Sequence, residues 1–182
     1  MFSFPQLPGS SRKAWTAGIA GLCGAALVAG TVVWLWPSSE AGAPAPTART
    51  YRDVDVCLLT DARGVVPGSP GASVWAGMRD ASDRVRARVS FLQALGPDTE
   101  ENAVPYLNSL VQEHCAVIVA VGASEDQAVR AVAGDQPATR FVVVGDGTSD
   151  RNVSMVRPGE DARVRSEVGR IVGNLVNSVS GS

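Results

Sequence analysis

Residues 116–121 read AVIVAV, six apolar positions in a row with no polar member. A strand with one wet face alternates apolar and polar side chains, so a run this uniform requires cover on both faces, which is the situation of an inner strand in a parallel sheet. Similar runs occur at 54–60 (VDVCLLT) and 141–144 (FVVV), with shorter ones at 89–92 and 153–156. Between them the apolar period changes to that of a helix. Val74, Met78, Ala81 and Val85 share one face over 73–88, and Val104, Leu107, Leu110 and Val111 share another in a helix ending near His114. A helix over 125–133 follows, and 161–179 repeats valine, isoleucine and leucine on one stripe from Val164 to Val179.

Regular alternation of strand and helix predicts an α/β domain: a three-layer, doubly wound, mostly parallel sheet over 51–182. The helix starts carry cap signatures, with Asp98 and Glu101 at one and Ser124 and Gln127 at the next. On such sheets ligands bind beyond the carboxyl ends of the strands, near the point where the strand order reverses. Those ends hold residues 61–64, 122–124 and 145–147, so the candidate ligand-binding residues are Asp61, Arg63, Gly64, Gly122, Ser124 and Asp146. Trp75, at the start of the first helix, either lines the same cleft or packs beneath the glycine-rich loop before it.

The first 39 residues contain no acid and only two bases, Arg12 and Lys13. Directly after these bases, residues 14–36 form an uncharged stretch (AWTAGIAGLCGAALVAGTVVWLW), long enough to cross a bilayer as a helix. The basic flank places residues 1–13 in the cytoplasm, with Trp34 and Trp36 at the outer interface and the bulk of the chain outside. A cleaved signal peptide is the rival, since Ala41-Gly42-Ala43 offers a small-residue cleavage pattern; the apolar run exceeds a normal signal core, which favours a single-pass signal anchor. Cys23 follows Leu22 directly, out of step with a lipoprotein signal, and reads as a small apolar residue of the span. Residues 37–50 (PSSEAGAPAPTART) read as a semi-extended linker.

The remainder carries all 18 acids and 14 of the 16 bases, a net charge of about −4 without a basic stripe, so nucleic acid is not an expected partner. Three widely spaced cysteines and one histidine give no zinc site, and no nucleophile motif surrounds His114, so neither catalytic residues, metal nor cofactor are expected. His114 suits a helix end, where its imidazole faces exposed carbonyls. Cys57 and Cys115 fall on strands expected to be neighbours in an oxidising compartment, which leaves both a disulfide and two buried thiols open.

The segments CLLTDARG, VWAGMRDA, ENAVPYLNSLVQEHCAVIVAVG, ATRFVVVGD and RNVSMV follow one another from Val56 to Val156. In this order the stretch resembles the amino-terminal lobe of the basic membrane protein (BMP) family of ABC-transporter substrate-binding proteins, which have the type 1 periplasmic binding fold. The resemblance implies a single lobe of that fold, a small polar ligand such as a nucleoside, and an ABC permease as partner. It also implies a bacterial, membrane-held extracytoplasmic location. In the family two lobes close on the ligand, whereas here one lobe is expected before the chain ends at Ser182. The family places a Phe-Asn pair before its Trp-x-Gly; here Pro70-Gly71 precedes Trp75-Ala76-Gly77, so a ring that could stack on a base is missing. The alternative is an interaction module that self-associates without a ligand.

Overall fold

A computed structural model describes residues 50–147 and 149–181. The anchor at 14–36, Cys23 and all of the linker before Thr50 lie outside the described residues. The chain divides between Thr47 and Ala48, and the fold described is that of the second unit. Among the described residues no helix is long and apolar enough to cross a membrane.

The elements run β1 (Asp55–Thr60), α1 (Pro70–Val85), β2 (Arg88–Gln93), α2 (Glu100–Gln112), β3 (Val117–Val121), α3 (Ala123–Val132), β4 (Arg140–Val144), β5 (Val153–Val156) and α4 (Asp161–Ser180). The five strands form one sheet in the order β2-β1-β3-β4-β5, every pair parallel. The order reverses between β1 and β3: the chain first moves outward to β2, then returns past β1 to build the other half. That reversal creates the crevice in which doubly wound sheets bind ligands.

Alternation along each strand divides the core in two. Val56 and Leu58 of β1 with Val117, Val119 and Val121 of β3 face α1 and α4, meeting Val74, Met78, Val168 and Val172. Cys57, Leu59, Ile118, Ala120, Phe141 and Val143 face the opposite way, toward Leu107 and Leu110 of α2 and Ala128 and Val129 of α3. The inner strands are thus buried on both sides, as their all-apolar sequences require.

The stripe of α4 is covered by its own sheet. Val164, Val168, Val172 and Val176 are buried, while Ile171 and Leu175 pack at the margin of the same core. Helices α1 and α4 approach so closely that a Cβ on Gly77 would run into the Arg165 carbonyl oxygen. Arg165 ties the pair together by donating to both carboxylate oxygens of Asp80, at 2.6 and 2.8 Å.

Two helix starts differ from their sequence signatures. Helix α1 begins at Pro70, not at 73, because a proline in the first turn supplies helical φ and lacks only an amide that would go unpaired there. The cap of α2 is Thr99, whose hydroxyl accepts from the Asn102 amide at 3.3 Å, and not Asp98. Cys57 and Cys115 form a disulfide with Cα atoms 5.9 Å apart on the α2/α3 face; it joins β1 to the loop between α2 and β3, since Cys115 precedes the strand on which it was expected.

Candidate functional site

At the carboxyl ends of β1, β2 and β3, next to the strand-order reversal, lies a cavity of about 180 Å³ lined by Asp61, Arg63, Asp98, Ser124 and Glu125 together with the loop backbone around Gly96. Each lining segment is positioned by its own turn. After β1, the Arg63 and Gly64 amides donate to Asp61 Oδ1 and to the Asp61 carbonyl at 2.9 and 3.0 Å, and Gly64 takes φ +63° to complete the reversal. Arg63 also closes on the same carboxylate, donating from Nε at 2.9 Å and from Nη2 at 2.6 Å to Oδ2. Beyond β2, the Leu95 carbonyl accepts from Asn102 Nδ2 at 3.0 Å and from the Tyr106 hydroxyl at 3.1 Å, which anchors the loop that presents Asp98.

The third segment departs from its cap signature. Gly122 is the N-cap of α3, with φ +134°, and no side chain caps the helix. Ser124 lies inside the first turn, buried, and its Oγ is 2.5 Å from Asp98 Oδ1 and 3.0 Å from Glu125 Oε2. A hydroxyl has one hydrogen to give. Both contacts are ones in which Ser124 Oγ can donate, so its single hydrogen is shared between two acceptors, Asp98 Oδ1 and Glu125 Oε2.

Glu125 is fully buried, and its Oε1 has no hydrogen-bond partner. Desolvation holds its carboxyl above the ordinary value of 4.5, helped by the charges of Asp98 and Asp61 and opposed by its own backbone amide and the Ser124 hydroxyl. Its Oε2 occupies space that a Cβ on residue 122 would take, so the glycine both turns the chain and makes room for the acid.

A raised native value means that the folded state holds a proton which the unfolded chain gives up near 4.5. The stabilisation from Glu125 is therefore complete below that pH and is lost as the pH rises through the native value. Urea midpoints from pH 4 to 8 should show the parent losing stability with rising pH relative to Glu125→Gln. A flat difference between the two proteins would mean that Glu125 does not titrate in the native state.

Of the sequence candidates, Asp61, Arg63 and Ser124 meet at the cavity, Gly122 backs it and Gly64 shapes its first loop. Trp75 stands elsewhere: its ring packs edge-on against Phe91 of β2 with centroids 5.3 Å apart, and it does not line this cavity. Asp146 also lies outside it, exposed in the turn after β4, with Arg130 3.5 Å from its carbonyl oxygen. Asp98 and Glu125 were not among the sequence candidates. Their signal was an acid beyond the end of β2 and another beyond β3, concealed by cap-like spacings. Among the described residues no group of His, Cys, Asp and Glu is arranged to hold a metal ion.

No family model matches the chain, and no curated protein matches it in sequence. Among solved structures, a solute-binding protein of an ABC transporter system from Aeropyrum pernix K1 aligns with a TM-score of 0.47 and 21% identity over 56% of this chain; the chain spans 28% of that protein's length. A fragment described as a lipoprotein from Peptoclostridium difficile 630 superposes with a TM-score of 0.51 and 15% identity, over 70% of this chain and 97% of its own. At that identity the likeness is one of fold alone.

Proposed function

We propose that this chain is a membrane-anchored, extracytoplasmic binding lobe, related to the BMP solute-binding proteins, that takes a small polar solute at the strand-order reversal and is not an enzyme. The carrying observation is the convergence of Asp61, Asp98, Ser124 and Glu125 on one cavity at that point, with a fully buried carboxyl oxygen left unpartnered. Polar groups withdrawn from water in this way cost stability unless something bonds to them, and a bound polar ligand would supply that bond. The uncharged stretch at 14–36 supports the anchor, and the disulfide fits an oxidising compartment. At about 180 Å³ the cavity is below the usual range for enclosing a whole ligand, which fits one half of a clamp.

A second reading, an interaction module without a ligand, is favoured by the exposed Phe91 on the edge strand β2 and the exposed Leu95 in the loop after it. Thermal unfolding of the full chain in detergent, screened against nucleosides, sugars and small amines, separates the two. Binding predicts that at least one class raises the midpoint in a dose-dependent way and that Ser124→Ala abolishes the rise. Concentration-dependent association with no ligand response would favour the module.

A further inference from the structure

The acceptors and donors of the cleft do not balance. Three carboxylates line it against one guanidinium, and that guanidinium already bonds Asp61 through Nε and Nη2. The Ser124 hydroxyl has one hydrogen for two acceptors, Asp98 Oδ1 and Glu125 Oε2. Glu125 Oε1 is left as an acceptor with no donor, in a side chain with no exposed surface that lines the cavity.

An anion is the wrong complement here. The start of α3 would ordinarily attract one, but Glu125 stands in its first turn and Asp98 is bonded to the neighbouring Ser124. A phosphate or carboxylate would meet these two acids before it met the helix amides. A neutral polyol could donate to Oε1, yet it would leave the net negative charge of the cleft unanswered.

Resting on the binding reading above, the geometry points to a small organic ammonium ion as the ligand of this cleft, its N–H groups donating to Glu125 Oε1 and to the Asp98 carboxylate. An ammonium brings three donors and a positive charge on a compact head, which suits a cavity of about 180 Å³. The charged groups facing Glu125 are Asp98 from the loop after β2 and Asp61 with its partner Arg63 from the loop after β1; Ser124 is its polar neighbour on α3. A bound cation stabilises the ionised form of Glu125 and expels its proton, so affinity rises with pH.

The test uses the full chain in detergent and matched probes: ethanolamine and 1,4-diaminobutane, the isosteric diols ethylene glycol and 1,4-butanediol, and acetate and inorganic phosphate as anions. Calorimetry at pH 5.5 and 7.5 should show the amines binding, more tightly at the higher pH, while the diols and anions are silent. Glu125→Gln should weaken amine binding by about tenfold or more, the effect of losing one charge-assisted contact. Asp98→Asn removes the charge of an exposed loop residue while leaving an amide oxygen that can still accept from Ser124, and should weaken it similarly if the buried variant fails to fold. If diols, anions or nucleosides bind and amines do not, the ammonium assignment falls while the binding lobe stands. If no probe, nucleoside or sugar binds, both fall.

Discussion

A chain with Cys57 and Cys115 both changed to alanine should be less stable than the oxidised parent by about 4 kcal/mol. The bridge closes a loop with a sequence separation of 58, and constraining an unfolded chain over that span accounts for a loss of about that size. For a domain with a typical total of ~5–15 kcal/mol the change is large. Urea unfolding of the oxidised parent, the reduced parent and the double variant measures it. The two bridge-free proteins should unfold at nearly the same urea concentration, well below the oxidised parent. Equal midpoints for all three would show that the unfolded chain is not measurably constrained by the bridge. Because Cys57 is the third residue of β1 and Cys115 precedes β3, the bridge lies toward the amino ends of the strands, away from Asp61 and Glu125 at the carboxyl ends. Ligand response at temperatures where the variant remains folded should therefore persist.

The inner sheet was legible because its physical demands are severe. Residues 116–121 admit no polar side chain, and only a strand covered on both faces explains that. The alternation of Val56 and Leu58 with Cys57 and Leu59 then assigns each residue to one of two cores without further information. The helix starts were less legible because several neighbouring residues can cap, and the difference between them is a dihedral angle. Asp98 and Thr99 are both competent, yet only Thr99 points its oxygen at the Asn102 amide. Asp98 is thereby free to accept from Ser124, 26 residues away, a contact that exists because β1 brings β2 and β3 to its two sides. Glu125 was concealed by its position. An acid in the first turn of a helix ordinarily complements the dipole from the surface, and nothing local reveals that the loops after β1 and β2 will close over this one.

Gly122→Ala should cost about 3 kcal/mol and abolish binding in the cleft, because one residue holds both the turn and the acid in place. A φ of +134° lies in a region that side-chain-bearing residues enter only at a cost of about 1–3 kcal/mol. The new methyl would also fall on Glu125 Oε2, and the buried carboxyl cannot yield without breaking its contact with Ser124. If the backbone relaxes instead, the first turn of α3 rotates and carries Ser124 away from Asp98. Either response dismantles the same arrangement, so stability and ligand response should be lost together. Gly134→Ala provides the control: a Cβ there meets nothing within 4 Å and the residue has no positive φ, so that variant should be neutral or slightly stabilised. Urea unfolding of both variants, with the ligand-induced midpoint shift measured on each, decides the matter. A Gly122→Ala protein as stable and as responsive as Gly134→Ala would mean that the cleft does not depend on the Gly122 turn, and the role assigned to Glu125 would fail with it.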